Sequence, residues 1–345
     1  ESRLEHERAP LQLQLIEHAV ADKTLQAIST SELVGIAIGE RAQLNERALE
    51  QLLALRRQGI SVIAASNLLV SNSTFSRTGQ GPNGTVLGTP PMCGVDLEPD
   101  QCEDALVGVE FVDCVAYDNF GCGFSVALSR SSSSTPPLNV SFRRCTVEMS
   151  RQKLPPADAA PELCDALGCH AYNAPGFAVS AAFQTANLSQ SPTGPSGLVE
   201  VRDCVVRNIF DAAIELANVA SSSLTVAVSN SVFEEVGTRR SPSETPPVSC
   251  GAQLSTKPAP IVFSFDPGYA TGDLHSHLNV SNLTVVDQHY RPWAVTAGCG
   301  GKHSAVQRPV TATIVGSNLV VKNPHGCAVG PNVSLDLSSP LSCQQ

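Results

Sequence analysis

Three charged residues, Glu148, Arg207 and Glu234, could act together in catalysis. Each stands three residues after a cysteine or serine, at the same position of a short sequence pattern that recurs along the chain. Glycoside hydrolysis uses two carboxyl groups about 5–10 Å apart, one as acid and one as base. On strands stacked about 4.8 Å apart, the two glutamates would lie about 10 Å apart with Arg207 between them. The competing interpretation is a surface charge ladder, because opposite charges stabilise neighbouring strands.

Asparagine and cysteine residues point to the secretory pathway. The glycosylation signal Asn-x-Ser/Thr occurs seven times, more often than chance gives for this composition. The twelve cysteines are an even number, as is typical of chains from an oxidising compartment. We therefore predict a secreted glycoprotein of a cell surface or extracellular matrix. The predicted glycosylation sites are Asn72, Asn83, Asn139, Asn187, Asn279, Asn282 and Asn332.

Loop cysteines are the better candidates for disulfides, with Cys93–Cys102 and Cys164–Cys169 as local pairs, although sequence alone leaves the connectivity open. The full candidate set is Cys93, Cys102, Cys164, Cys169, Cys250, Cys299 and Cys343. Zinc sites usually contain closely spaced pairs such as Cys-x2-Cys, which this chain lacks. We therefore predict neither a metal nor another cofactor, including at His275-x-His277.

Charge and hydropathy exclude several classes of partner. The formal net charge is −10, so the chain offers no basic field for nucleic acid or for an anionic membrane surface. No apolar run approaches the roughly 20 residues that a membrane-spanning helix needs. We predict no nucleic-acid partner and no membrane span.

A pattern that recurs seven times must position the charged residues. It reads apolar-x-apolar-x-x-(Asn/Asp)-(Cys/Ser/Leu)-x-apolar. Apolar positions before and after the Asn/Asp have opposite parity, so that residue must turn the backbone between two short strands. Position zero, the Cys/Ser/Leu, is Ser73, Cys114, Cys145, Cys204, Ser231, Leu283 and Leu319, and position −1 is Asn72, Asp113, Arg144, Asp203, Asn230, Asn282 and Asn318. The three cysteines at position zero are predicted to stack as an inward, buried column.

A third apolar pair often follows, as at Phe124 and Val126, so one turn of chain carries three short strands. Strands that return to equivalent positions must stack in parallel. This repeat resembles that of the pectate-lyase-like right-handed parallel β-helix superfamily, over residues 60–335. The resemblance implies an all-β solenoid of about seven or more coils. In such enzymes acids and bases lie on the outer strand face, where Glu148, Arg207 and Glu234 fall, but the Asn-x-Asp, Asp-Asp and Gly-His-Gly signatures of polygalacturonases are absent.

The ends of the chain differ from the repeat. Residues 41–57 have apolar residues at helical spacing and predict an amphipathic helix, with an early strand at Leu33–Ile38. A solenoid needs caps, so residues 1–58 are interpreted as an N-terminal capping segment, with a partner-binding helix as the alternative. Residues 59–345 then form the β-helix, interrupted by long insertions that contain proline and cysteine.

Three functions fit this sequence. The leading hypothesis is a non-catalytic, glycosylated rod that contacts other extracellular proteins or glycans and that could associate end to end with its own copies. The second is a polysaccharide lyase or glycoside hydrolase that uses Glu148, Arg207 and Glu234. The third is a glycan-binding module, which the low aromatic content of 5% disfavours.

Overall fold

The protein is all-β, with parallel sheets and no helix in the part of the chain that the structure describes. The computed structural model describes residues 59–79, 92–148, 175–181, 194–209, 212–219, 223–236, 259–265, 274–287, 294–299, 310–324, 327–330 and 332–344, and the backbone of strands at 25–30, 33–38 and 43–44. The predicted all-β class and parallel pairing are confirmed, in an arrangement consistent with a β-helix.

The strands stack in three parallel ladders, each with one contribution from successive turns of the chain. Ladder A contains the third apolar pair of the sequence pattern. Its strands are β4 (Ile60–Val62), β8 (Val95–Leu97), β11 (Phe124–Ala127), β14 (Phe177–Ser180), β17 (Ile214–Ala217), β20 (Ile261–Phe265) and β22 (Val295–Cys299).

Ladders B and C lie before and after the position −1 corner. Ladder B contains β5 (Ala65–Ser66), β6 (Leu69–Ser71), β9 (Leu106–Val112), β12 (Leu138–Arg143), β15 (Gly197–Arg202), β18 (Leu224–Ser229), the first part of β21 (Leu274–Val286) and of β23 (Val310–Lys322), and β24 (Val333–Leu337). Ladder C contains β7 (Thr74–Ser76), β10 (Val115–Tyr117), β13 (Thr146–Glu148), β16 (Val205–Arg207), β19 (Val232–Glu234), the ends of β21 and β23, and β25 (Ser342–Gln344).

The predicted corner between ladders B and C is confirmed by the backbone angles. All seven residues at position −1 are left-handed, with φ between 48° and 56°. Asparagine and aspartate tolerate this conformation because their side chains bond to nearby backbone groups. Arg144 lacks that advantage, and its guanidinium instead donates to both carboxylate oxygens of Asp113 on the preceding turn, at 2.7 and 2.8 Å.

The interior between the ladders is apolar and closely packed. Side chains at positions −5, −3, 0 and +2 are buried, as the alternation predicts; in one turn they are Val109, Phe111, Cys114 and Ala116. Phenylalanines from successive turns stack along the axis, with 5.5 Å between the ring centroids of Phe111 and Phe142. Burial of this apolar surface stabilises the stack without requiring a ligand.

The N-terminal strands β1 (Leu25–Thr30), β2 (Leu33–Ile38) and β3 (Gln43–Leu44) precede the ladders. Strand β1 pairs antiparallel with β2, whereas β2 and β3 pair in parallel with the first strands of ladders A and B. The strand predicted at Leu33–Ile38 is confirmed. The helix predicted over 41–57 is wrong at Gln43 and Leu44, where pairing with β6 satisfies backbone groups and overrides helical propensity. The rest of the predicted helix, residues 41–42 and 45–57, lies outside the described part.

Candidate interaction surface

The structure brings Glu148, Arg207 and Glu234 into one row on the outside of ladder C. Strands β13, β16 and β19 pair so that Glu148 faces Arg207 and Arg207 faces Glu234. We call these three residues the outer charged row. The row forms because position +3 has the outward parity on every turn, so its members stack at the strand spacing of about 4.8 Å.

Two of the three charged groups that catalysis would need are bound to each other in an ion pair. Arg207 donates to a carboxylate oxygen of Glu148 at 2.8 Å, and the two side chains are 45% and 26% exposed. The row lies on the outer face of a sheet. Arg207 lies between the two glutamates and binds one of them, Glu148. This geometry is that of a cross-strand charge ladder.

Further ion pairs between turns lie on ladder B and at the corner between ladders B and C. Arg143 donates to Glu110 at 3.0 Å, and Arg144 binds Asp113 at the adjacent corner. Hydrogen bonding to Arg144 lowers the pKa of the Asp113 carboxyl, and the same contact raises the pKa of Arg144. Neighbouring turns thus neutralise each other's charges on the outer surface.

The corner column also contains a ladder of amides. Asn282 donates to the side-chain oxygen of Asn230 at 3.1 Å, and Asn318 donates to that of Asn282 at 2.8 Å. These bonds join three successive turns on the exposed side of the corner. They stabilise the stacking of turns on which ladders B and C depend.

The predicted glycosylation sites fall on one side of the molecule. The five in the described part lie on ladder B, beside it, or at the corner that follows it, and each is exposed or half-buried. They are Asn72, Asn139, Asn279, Asn282 and Asn332. Asn83 and Asn187 lie outside the described part. In the described part, no such site lies within a strand of ladder A or of ladder C.

Two acidic residues on the outside of ladder A were missed by the sequence reasoning. Asp96 is buried, and Glu215 is half-buried with its carboxyl against the hydroxyl of Ser264. Burial raises the pKa of Glu215, and the hydrogen bond from Ser264 only partly opposes this shift. The parity of the third apolar pair already placed Glu215 outward, between Ile214 and Leu216.

These acids do not form a catalytic pair. The strands that carry Asp96 and Glu215 are separated by two intervening strands of ladder A, at Ser125 and Ala178. Three strand spacings correspond to about 14 Å, beyond the separation of about 5–10 Å that glycosidases use. Asp96 and Glu215 therefore lie too far apart to act as the two carboxyl groups of one glycosidase site.

The disulfides differ from the predicted pairs. Cys93 is bonded to Cys122, whereas Cys102 is a free thiol, so the predicted Cys93–Cys102 pair is wrong. Cys93 and Cys122 immediately precede equivalent residues on neighbouring turns, and the stacking of turns brings their Cα atoms within 4.5 Å. Cys343 is bonded to Cys327. Cys164, Cys169 and Cys250, and the side chain of Cys299, lie outside the described part.

The predicted column of buried thiols is confirmed. Cys114, Cys145 and Cys204 are free and buried. Each sulfur lies within hydrogen-bonding distance of carbonyl oxygens of its own and the preceding turn; for Cys145 these belong to Arg143 and Phe111, at 3.5 and 3.4 Å. The thiols thus add a weak contact to carbonyl oxygens at the corner, one of which, that of Arg143, also accepts from the N–H of Asp113 at 3.0 Å.

Hydrogen bonds between the thiols and burial of the column suppress ionisation of Cys114 and Cys145. The hydrogen bond with Cys145, together with burial, raises the pKa of Cys114. For Cys145, the bond with Cys114 lowers the pKa, but the bond with Cys204 and burial outweigh it and raise the pKa to about 12. Because the thiolate is the reactive form, both cysteines are poor nucleophiles at neutral pH.

The described residues contain no group of three or more histidine, cysteine or acidic side chains able to hold a metal ion. His275 instead contacts the Thr311 hydroxyl at 2.8 Å. In the described part there is no helix long and apolar enough to cross a lipid bilayer. Comparison of the chain with protein-family models, with curated proteins and with solved structures finds no match.

Proposed function

We propose that this chain is a non-catalytic structural and interaction module: a secreted, glycosylated rod built as a right-handed parallel β-helix of about seven or more coils, capped at its N-terminal end. The observation that carries the proposal is the ion pair between Arg207 and Glu148 within the outer charged row. A row that is internally paired and open to solvent suits a stable surface better than an acid–base site.

Three further observations support the rod. A continuous apolar core runs along the stacked turns of the described part, and its burial stabilises the stack. The two disulfides suit an oxidising compartment. The predicted glycosylation sites of the described part lie on or beside ladder B and at the corner that follows it, so the strands of ladder C are the face that other extracellular proteins or glycans could reach.

The test uses Glu148→Gln and Glu234→Gln, with Glu110→Gln as a matched control because Glu110 also forms an outer ion pair with an arginine. Acidic and neutral polysaccharides are incubated with each purified protein, and newly formed sugar ends are measured. We expect no cleavage by any of them. The stabilities of the three variants should differ from wild type by less than about 1 kcal/mol, as for other surface ion pairs.

Cleavage by wild type that disappears in Glu148→Gln or Glu234→Gln, but persists in Glu110→Gln, would overturn the proposal. It would support the second candidate, a lyase or hydrolase whose carboxylates flank Arg207. Small-angle scattering of the same wild-type sample measures the rod directly: a length clearly greater than the width is expected, and a globular profile would contradict it.

A further inference from the structure

The outer surface of ladder B carries two exposed apolar side chains. In the described part of the chain, Val107 and Leu198 are the large hydrophobic residues exposed to solvent, at 37% and 36%. Both lie directly beside Asn139 of strand β12: Val107 is its partner on β9, and Leu198 is its partner on β15. The asparagine of one glycosylation signal, Asn139-Val140-Ser141, therefore lies between the two exposed apolar residues.

This apolar surface is confined to the two positions beside the asparagine. Asn139 is exposed as well, so all three side chains lie on the outer face of the ladder. The row continues with polar residues on both sides, because Ser66 is the partner of Val107 and Thr225 is the partner of Leu198. A group attached to Asn139 would thus be centred on the apolar surface.

A β-bulge places Val107 beside Asn139. Gly108 is an extra residue in β9 and has a left-handed φ of 66°, which glycine adopts without strain. If the register of Val109 and Val140 continued without the bulge, Gly108 would be the partner of Asn139 and would present no side chain. The bulge therefore supplies one of the two apolar neighbours.

We propose that Asn139 carries an N-linked glycan and that its first sugar packs against Val107 and Leu198. This inference rests on the secreted, glycosylated rod of the proposed function and assigns a structural role to one of its glycans. The sugar is linked to Nδ2 of Asn139, and neighbouring strands are about 4.8 Å apart, so the sugar lies within reach of both side chains. One face of a pyranose ring consists mainly of C–H groups, and its contact with the two side chains removes apolar surface from water.

The glycan is attached by a group transfer. Nδ2 of Asn139 attacks the anomeric carbon of an oligosaccharide that is activated on a lipid diphosphate. A carbon–nitrogen bond forms, the carbon–oxygen bond to the diphosphate breaks, and Nδ2 loses one proton as the lipid diphosphate leaves. Ser141 of the signal is buried in the folded chain, so the transfer precedes the stacking of the turns.

Two glycosylation signals at the corner between ladders B and C have polar neighbours instead. Asn282 lies between Asn230 and Asn318 and forms hydrogen bonds with both. Asn72 is exposed, and the equivalent residue on the next turn is Asp113. A sugar at either corner would not cover a pair of exposed apolar side chains, so the signal at Asn72 provides a matched control.

The test measures the stability of the full-length protein secreted from eukaryotic cells, after mass spectrometry of its peptides has shown whether Asn139 is glycosylated. Asn139→Gln removes the glycan, and we expect the equilibrium constant of unfolding in urea to rise about fivefold. The control Thr74→Val removes the signal at Asn72 and introduces the residue found at the equivalent Val115, so it should change the constant less than about twofold. Trimming wild type with an endoglycosidase that leaves the first sugar on each site should also leave stability unchanged.

A second substitution isolates the contact itself. Leu198→Thr introduces the residue found at the equivalent Thr225. It should raise the unfolding constant about threefold more in the glycosylated protein than in Asn139→Gln, where no sugar covers Leu198. If Asn139→Gln is not secreted, enzymatic release of the whole glycan from folded wild type and from folded Leu198→Thr provides the same comparison.

An unmodified Asn139, equal effects of Leu198→Thr with and without the glycan, or a loss of stability on trimming to the first sugar would overturn the proposal. Such a failure is distinguishable from failure of the rod, because the protein would still scatter as an elongated particle and leave polysaccharides intact. A globular profile or cleaved polysaccharide would instead reject the proposed function.

Discussion

Two stacks of cysteine residues on neighbouring turns have opposite chemical states. At the corner before ladder A, Cys93 and Cys122 form a disulfide, with 4.5 Å between their Cα atoms. At the corner between ladders B and C, Cys114, Cys145 and Cys204 remain thiols. Both stacks place cysteine at equivalent positions on successive turns, so proximity alone does not decide which cysteines are oxidised.

The difference lies in what each side chain does for the backbone. The thiols at position zero point into the core and lie against carbonyl oxygens of two turns, and serine takes the same role at Ser73 and Ser231. A disulfide would remove those donors. Burial and hydrogen bonding also raise the pKa of Cys114 and Cys145, which suppresses the thiolate that disulfide exchange requires.

Loss of the bonded stack should have the largest effect. The Cys93–Cys122 bond closes a sequence separation of 29 residues, so the double variant Cys93→Ala/Cys122→Ala should lose about 3–4 kcal/mol of unfolding free energy. Urea denaturation measures the loss. Cys102→Ala is the control, since Cys102 is a free, half-buried thiol, and it should change stability by less than about 0.5 kcal/mol. Equal losses in the two proteins would contradict the assigned bond.

The glycine beside the bonded stack offers the next test. A Cβ atom at Gly123 would contact Val147 and would lie 2.7 Å from the carbonyl oxygen of Gly176 on the next turn. Gly123→Ala should therefore force the turns apart and destabilise the protein by about 1–3 kcal/mol. Thermal unfolding checks this, and a variant as stable as wild type would show that these turns are not so closely stacked.

Substitutions in the thiol column should separate hydrogen bonding from volume. Cys145→Ala removes the donor to the carbonyls of Phe111 and Arg143 and leaves a small cavity, so a loss of about 1–2 kcal/mol is expected. Cys145→Ser retains a donor and should lose less. If serine is the more damaging substitution in urea denaturation, the column is an ordinary apolar core without a hydrogen-bonding role.

Alkaline pH should reveal the smallest effect. A thiol whose pKa is raised to about 12 by folding stays protonated in the native state, whereas in the unfolded chain the same thiol ionises near the ordinary cysteine pKa of 9.0. The stability from this group is complete below that value and falls as pH rises. At pH 9.5 ionisation of Cys145 in the unfolded chain lowers the free energy of unfolding by about 0.8 kcal/mol. Urea denaturation of wild type and of Cys145→Ser at pH 7 and pH 9.5 isolates this effect. If both proteins lose the same unfolding free energy between the two pH values, Cys145 does not contribute to the pH dependence.

The repeat is sufficient to predict the corners and the buried column of thiols, because both follow from the alternation of inward and outward residues within one turn. The disulfide partners were not predictable in the same way. Cys122 was not among the disulfide candidates, since its pairing with Cys93 depends on how turns of different length stack across insertions. Gln43 and Leu44 show the same limit, because their strand is stabilised by pairing with β6, which lies outside the local pattern.

The outer charged row was predictable for a related reason. Glu148, Arg207 and Glu234 share one position of the repeat, so their alignment follows once the turns stack in parallel. Which glutamate Arg207 binds depends on side-chain conformations that the pattern does not contain. Glu215 could have been identified from its parity alone, but its raised pKa depends on the burial of its carboxyl, which the pattern does not reveal.

The register in which the turns stack determines which cysteines meet, so it can be tested by mapping the cysteines of the secreted protein. The native protein is treated with an alkylating reagent, unfolded, treated with a second reagent and digested without reduction. We predict linked peptides for Cys93–Cys122 and Cys327–Cys343, and the second reagent alone on Cys114, Cys145 and Cys204. A Cys93–Cys102 bond, or any bond within the column, would show that the turns do not stack in this register.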